Sequence, residues 1–311
     1  MPNMKAVRIQ TYGGPEVLAY GDVPRPVPGP KDVLVRIHAA SINPVDWKIR
    51  AGYMKDYIPL TLPAILGLDV SGTVVSAGAG AKAFKEGDEV YAMTNPSPGG
   101  GGGYAEYVAV PEDIVALKPK SLDHQKAAAV PLAGLTAWHG LTEVGGLKPG
   151  QRVLIHGASG GVGSYAVQIA KALGAFVIGT AQARNQSLLL ELGVDQAIDY
   201  TAVPFDRAVS DVDLVIDTIG GDTEKRSWIV LKKGGTLAST VSQATAPHAG
   251  VTGKYIANHP SGPGLRELAK LAEAGKLRPI VETVLPLAET RKGHELSQTG
   301  HVRGKIVLQV I

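Results

Sequence analysis

The stretch VLIHGASGGVGSYAVQIAKALGA, residues 153–175, constrains the fold more than any other in this chain. An apolar β-branched run leads into a glycine cluster. An amphipathic run ended by Gly174 follows, and then a second strand pattern, AFVIGTA (175–181). The order strand, glycine turn, helix, strand is a βαβ unit, and the turn is built for an anion, because the helix behind it presents unpaired N–H groups. Ala158, Gly160 and Gly163 occupy the three positions of a dinucleotide-binding pattern, with Ala in place of the first Gly. Gly160 lets the backbone approach a pyrophosphate, and Gly163 lets helix and strand pack closely.

The same rhythm continues through SLLLELG (187–193), QAIDY (196–200), VDLVIDTIG (212–220), a helix at EKRSWIVLK (224–232) and GGTLAST (234–240), which predicts a doubly wound parallel sheet. The first third differs. DVLVRIHAA (32–40), GLDVSGTVVSAG (67–78), GDEVYAM (87–93) and YAEYVAV (104–110) are short strand patterns punctuated by Gly and Pro, as in a barrel-like domain. Between them PVDWKIRAG (44–52) reads as a short helix, and SPGGGGGY (97–104) as a flexible surface loop. HQKAAAVPLAGLTAWHGLTEVG (124–145) is helical with a break at Pro131. After a helix at 262–275 and RPIVETVLPL (278–287), a last helix and the strand GKIVLQVI (304–311) form a tail able to return to the first domain.

Composition excludes several classes. Charged residues are 19% and hydrophobic ones 44%, no apolar run reaches the roughly 20 residues of a membrane span, and the net charge of +3 is too small and scattered for nucleic acid. The first residues show no secretory pattern, so a cytoplasmic location is expected. The absence of Cys excludes disulfides, a thiol nucleophile and a thiolate zinc site, and the eight His form no close ligand cluster in sequence.

The end of the second strand bears on the cofactor. A site for NAD places Asp or Glu there, to bind the ribose hydroxyls. This chain has Thr180, Ala181 and Gln182, followed by Arg184, so nothing repels a 2′-phosphate and a guanidinium can pair with it; NADP is favoured. Tyr200, at the next strand end, either adds a hydroxyl to that pocket or packs.

Together AASINPVDWKIRAG (39–52), LGLDVSGTVVSAG (66–78), KEGDEVYA (85–92), GGYAEYVAVP (102–111), AAAVPLAGLTAW (127–138), the glycine stretch, AIDYT (197–201) and GHVRGKIVLQV (300–310) resemble the zinc-independent branch of the medium-chain dehydrogenase/reductase superfamily. Within it the likeness is to quinone oxidoreductase-like and enone or alkenal reductases. The resemblance implies a GroES-like catalytic domain from both chain ends (1–122 and 262–311) around an NADP-binding Rossmann domain (123–261), often dimeric. It implies hydride transfer from NADPH to a quinone or to an alkene conjugated to a carbonyl. Zinc-dependent relatives have a Cys ligand near Asn43 and a His-Glu pair where this chain has Leu68 and Asp69, so no metal is expected in the reaction. By the same resemblance Thr136 lies near the nicotinamide, and Ser159, Gly160, Gly161, Val162 and Gly163 line the pyrophosphate. Thr180, Gln182, Arg184 and Tyr200 hold the ribose phosphate, Lys48 contacts the cofactor, and Thr240, Val241, His301 and Arg303 border the nicotinamide or its ribose. Relatives often have Ser where Gln182 stands.

Without zinc, the negative charge that builds on the substrate oxygen falls to hydrogen-bond donors. Asn43 and Lys48 are the candidates; Asn43 equally suits a helix cap before Pro44, and Asp46 a structural place in the first helical turn. The proton that follows comes from Tyr53 or from solvent, and Trp47 and Trp138 read as packing residues. Two other functions fit the same pattern: an enoyl-thioester reductase, and a non-catalytic, crystallin-like NADPH-binding protein.

Overall fold

The computed structural model describes residues 2–96, 101–247 and 249–311. The chain divides into two compact units, Met1–Leu132 with Pro260–Glu273 and Pro279–Ile311, and Ala133–His259 with Ala274–Arg278.

The first unit holds strands β1 (Asn3–Ile9), β2 (Leu18–Pro24), β3 (Asp32–Ile42), β4 (Ala64–Ile65), β5 (Asp69–Ala77), β6 (Glu89–Met93), β7 (Tyr107–Pro111) and β8 (Val115–Leu117). The second holds β9 (Arg152–Ile155), β10 (Phe176–Ala181), β11 (Gln196–Asp199), β12 (Val212–Asp217), β13 (Leu231–Ser239) and β14 (Thr252–Tyr255). The chain then returns to the first unit with β15 (Val281–Pro286) and β16 (Lys305–Gln309).

In the first unit the main sheet runs β15-β16-β3-β5-β6-β8, with β7 against β3, beside a smaller sheet β2-β1-β4. The tail does come back: β16 pairs antiparallel with β3, Ile306 opposite Ile42 and Leu308 opposite Ala40. Along β3 the residues Val33, Val35 and Ile37 enter one core with Val70, Val90 and Val108, whereas Ala40 and Ile42 enter another with Ile9, Leu66 and Leu308. The β3–β5 register shifts between Ile37 and Ala39, and the extra residue keeps Ala40, opposite Val70, on the same face as Ile37, opposite Gly72. Ser41 and Asn43, two residues apart in extended chain, share a side at the strand end by ordinary alternation.

Helix His124–Ala128 lies in this unit although the sequence reading placed its residues in the second domain. Ala128 and Ala129 pack on Ala39 and Val307, and side chains this small let the helix sit tightly on β3 and β16.

The second unit is one six-stranded sheet of order β11-β10-β9-β12-β13-β14, every pair parallel. This is the Rossmann order 3-2-1-4-5-6, with the strand order reversing between β9 and β12. Its central strands bury both faces: Leu154, Ile178, Val215 and Leu237 are fully buried, which is why they read as unbroken apolar runs rather than alternating ones.

Three expectations change. The segment 224–232 is helical only through Ser227 and a short turn at Trp228–Val230, after which Leu231 already opens β13. Strand β14 is absent from the sequence reading, since TGKY (252–255) lacks an apolar run. Of the glycine-rich loop, residues 97–100 lie outside the described residues, but its end is core rather than flexible surface. Tyr104 is fully buried, and its N–H donates to the Leu66 carbonyl at 2.9 Å. Gly67 accommodates it: a Cβ there would meet the Tyr104 ring at 2.4 Å, and its φ of +93° is a conformation that favours glycine.

Candidate active site

The carboxyl ends of β9, β10, β12 and β13 bring together most of the cofactor candidates of the second unit. After β9 the chain turns at Gly157 and enters the helix Gly161–Ala172, with Gly160 as its extended N-cap. Gly163 is required sterically: a Cβ would stand 2.1 Å from the Gly157 carbonyl oxygen. The turn therefore exposes helix N–H groups at Gly161 and Val162, a cradle that suits a pyrophosphate. Ser159 beside it accepts a hydrogen bond from the Asn185 side chain at 3.1 Å. That bond ties the turn Ala183–Asn185 to the glycine loop, and with it the exposed Arg184, whose guanidinium has no partner among the described residues. Asn185, which the sequence reading passed over, is thus a positioning residue.

Thr180 behaves differently from expectation. It is buried, and its hydroxyl lies 3.1 Å from Nδ1 of the buried His156. His156 Nε2 meets Ser227 Oγ at 2.9 Å, and the Ser227 hydroxyl already donates to the Thr223 carbonyl. Ser227 must then accept from Nε2–H, so Nδ1 accepts from Thr180 and that hydroxyl is committed inward. Burial holds the imidazole neutral, with its pKa pushed down to about 4. Gln182, half-buried, opens the turn, and Tyr200 is exposed just past β11. One acid stands nearby: Asp199 pairs with Ala181 across β10 and β11, and its Oδ1 is occupied by the Thr201 N–H and hydroxyl at 2.9 and 2.7 Å.

Thr240 and Val241 follow β13. The Thr240 N–H donates to the Asp217 carbonyl at 3.0 Å, and Val241 Cγ2 stands 2.7 Å from where a Cβ of Gly220 would be. The Asp217 carboxylate, fully buried, accepts from the N–H groups of Ile219 and Gly220 at 2.9 and 3.0 Å and so shapes this strand end. Thr136, buried on the helix Pro131–His139, belongs to the same unit.

The remaining candidates belong to the first unit. Asn43 caps the helix Pro44–Arg50 through its backbone: its carbonyl accepts the Asp46 N–H at 3.0 Å, and its N–H donates to Asp46 Oδ2 at 2.7 Å. Its side chain is buried and engaged. The amide donates to Asp69 Oδ2 at 2.8 Å, and its oxygen accepts from the Lys305 ammonium. The register explains this meeting: Ser41 pairs with Asp69, and Lys305 lies one residue before the Ile306–Ile42 pair, at the level of Asn43. Asp69 Oδ2 also accepts from Ser41 at 2.6 Å and Lys305 at 3.3 Å, while Oδ1 takes the Leu132 N–H at 2.7 Å. Lys305 is 3% exposed and carries the one charge that balances a wholly buried carboxylate. Sequence reading missed it, although a Lys inside the apolar run GKIVLQV is the kind of anomaly that marks a buried ion pair.

A second buried chain begins at Asp46. Tyr104 donates to Asp46 Oδ2 at 2.9 Å and lies 3.2 Å from His294 Nε2, and His294 Nδ1 is 3.1 Å from Arg50 Nη1. An arginine only donates, so Nδ1 accepts and Nε2–H points to the Tyr104 oxygen. Burial pushes Asp46 up to about 7, assisted by the charge of Asp69 and opposed by the Asn43 N–H; its Oδ1 has no hydrogen-bond partner to offset the desolvation. Burial and the adjacent Arg50 push His294 down to about 3. The two shifts act oppositely on stability. Between about pH 4 and 6.5 the folded state holds a proton on Asp46 that the unfolded chain has released, so this group costs stability as pH rises; His294 lacks a proton that the unfolded chain binds, so it contributes stability as pH rises. Asp46→Asn is therefore expected to make stability climb more steeply with pH than wild type, by about 1.4 kcal/mol per pH unit. Urea midpoints at pH 4.5, 5.5 and 6.5 measure it; parallel curves would refute the raised Asp46.

Lys48 and Tyr53 meet at Trp47. The Lys48 ammonium is 5.7 Å from the indole centroid, and the 72%-exposed Tyr53 ring packs edge-on at 6.2 Å. Trp47 is thus more than core filling: both candidates contact its ring. His301 and Arg303 are exposed on the loop between the helix Thr290–Gln298 and β16, where the Arg303 N–H donates to Glu282 at 2.8 Å.

Family models match both parts of the chain. An alcohol dehydrogenase GroES-like domain covers residues 29–120, and a zinc-binding dehydrogenase model covers residues 192–308. The mitochondrial NAD(P)H oxidoreductase RTN4IP1 of Homo sapiens is 35% identical over 99% of this chain and 89% of its own length. The chloroplastic NADPH-dependent alkenal/one oxidoreductase of Arabidopsis thaliana is 36% identical over 99% and 80%. Among solved structures, the quinone oxidoreductase from Coxiella burnetii superposes with a TM-score of 0.91 at 36% identity, covering 100% of both chains. The chain belongs to the medium-chain dehydrogenase/reductase superfamily, in its zinc-independent quinone and enone reductase branch. It is an oxidoreductase working with a nicotinamide cofactor, and the glycine cradle fits that cofactor's pyrophosphate. Zinc does not fit at the position of the family's metal: the oxygens of Asn43 and Asp69 already hold the Lys305 ammonium between them.

Proposed function

We propose that this member of the superfamily prefers NADPH and passes its hydride to a quinone or to the C=C bond of an α,β-unsaturated carbonyl, with the Lys305 ammonium filling the space between Asn43 and Asp69 where zinc-dependent relatives hold their metal. The carrying observation is the Lys305–Asn43–Asp69 cluster, a buried cation locked into the position of the absent ligands. The relatives named for alkenals, enones and quinones support the substrate class. For the cofactor, the strand end Thr180–Gln182 carries no carboxylate, and Arg184 is free to pair with a 2′-phosphate; Asp199, tied to Thr201, opposes it weakly.

The bound nicotinamide supplies the hydride. The chain's own residues do the rest in this reading. Asn43 is a positioning residue, its oxygen taken by Lys305 and one of its two amide N–H groups by Asp69. Lys48 and Tyr53 meet the substrate or cofactor: the ammonium offers a donor to the oxygen that gains charge, and the Tyr53 hydroxyl, or solvent, supplies the proton. Ser159 to Gly163 hold the pyrophosphate, and Arg184, Gln182 and Tyr200 the ribose phosphate. Thr136, Thr240, Val241, His301 and Arg303 border the nicotinamide end.

The test is NADPH oxidation against a panel of quinones, enones and enoyl thioesters, in chelator. Turnover of quinones or enones with chelator present is expected. Turnover of thioesters alone would move the assignment to an enoyl-thioester reductase, and tight NADPH binding with no turnover would leave a binding protein.

A further inference from the structure

Two of the eight histidines meet a glutamate in space, a grouping that their spacing in sequence does not show. The helix Pro131–His139 runs on into a π-turn, Gly140–Val144, which carries Glu143 alongside His139. His259 arrives from the far side of the sequence, a few residues beyond β14. One ligand atom from each lies within 4.8 Å of the others. We propose that His139, Glu143 and His259 bind one divalent transition-metal ion of the zinc type.

The state of His139 points to this. It is 1% exposed, and its Nδ1 lies 3.1 Å from the side-chain oxygen of Asn258. An amide oxygen accepts, so Nδ1 carries the proton and Nε2 is left as a lone pair. That nitrogen is buried, has no hydrogen-bond partner, and stands 3.7 Å from Glu143 Oε1. An imidazole whose tautomer and orientation are set by an oxygen on one nitrogen, while the other is held bare, is prepared as a metal ligand. The His259 ring is parallel to it, 4.2 Å away with an interplanar angle of 5°.

Binding requires the His259 ring to turn out of its stack, because the in-plane lone pairs of two parallel imidazoles do not converge on one ion. Nitrogen and oxygen donors at 2.0–2.1 Å from a tetrahedral zinc are about 3.4 Å apart. His139 can stay in place, because Glu143 and His259 are exposed and free to change rotamer. A carboxylate and two imidazoles are an ordinary zinc donor set.

The chain contains its own control. His38 and His124 are also stacked, 4.1 Å apart at 16°. There, however, His38 Nε2 faces Thr73, and both nitrogens of His124 face Ser71 and Glu89. With those nitrogens taken and no Cys anywhere, the chain offers few competing ligands. The proposed site is also separate from the family's zinc position at Asn43 and Asp69, which belong to the other unit. A bound ion would clip the segment after β14 to the end of the helix carrying His139.

The full-length protein, stripped with chelator, is titrated with ZnCl₂ by calorimetry and with CoCl₂ by visible absorption. One ion per chain is expected, with the cobalt bands of a four-coordinate nitrogen and oxygen site. His259→Ala and Glu143→Gln, both surface changes that leave the fold intact by thermal melting, are expected to weaken binding at least ~10-fold each, and His124→Ala to leave it unchanged. The absence of saturable binding, binding that His259→Ala leaves unaltered, or an equal loss in His124→Ala would overturn the proposal. The readout is binding, independent of turnover.

Discussion

Lys305→Met is expected to destabilise the protein by about 3–5 kcal/mol, the cost of leaving a buried carboxylate without its counter-charge. Asp69 is fully buried, and its other partners, Ser41, Asn43 and the Leu132 N–H, are neutral donors. They orient the carboxylate but do not neutralise it. Loss of the ammonium also frees the Asn43 oxygen, so the loop ahead of the helix Pro44–Arg50 loses one of its two side-chain anchors. Chemical denaturation reads the effect. The double variant Asp69→Asn/Lys305→Met removes both charges together and is expected to recover more than half of the loss, because the penalty belongs to the unpaired charge and not to the pair. A single variant within about 1 kcal/mol of wild type would mean that Lys305 contributes no needed counter-charge there, and would remove the argument that its ammonium takes the metal's place.

Arg184→Glu is expected to raise KM for NADPH roughly 10- to 100-fold, the equivalent of one charge-assisted hydrogen bond of about 1.5–3 kcal/mol. KM for NADH should change by less than about 3-fold, since that cofactor lacks the 2′-phosphate. The guanidinium is exposed, so part of its contribution is screened, and the ratio should shrink as salt rises from low to high ionic strength. The same turn holds Asn185, bonded to Ser159, so the substitution leaves the glycine loop anchored. Equal effects on both cofactors would refute a phosphate role and move attention to Tyr200 and Gln182.

What could be read from residues alone was local. The glycine turn was legible because steric demand at Gly163 and the helix N-terminus are properties of a dozen consecutive residues. Asn43, Pro44 and Asp46 read as a helix start for the same reason, and the backbone cap confirms it. The parallel strands showed as apolar runs because both faces of the sheet are covered. Misreadings followed where a distant partner decides: Tyr104 ends a glycine run that looks like loose surface, yet its ring is buried between Gly67, Asp46 and His294. Thr180 looked like a phosphate ligand, and His156 draws its hydroxyl inward.

The sequence by itself determined the two-part architecture and the glycine turn into the helix Gly161–Ala172, since each is written in neighbouring residues whose geometry short-range sterics and hydrogen bonding impose. Only the tertiary structure decided what partners Asn43 and Asp69 and where the histidines meet. Lys305 reaches Asn43 and Asp69 through the pairing of three strands, and His259 reaches His139 and Glu143 from more than a hundred residues away. Such meetings depend on strand register and chain return, which a one-residue shift would undo and which no local pattern encodes.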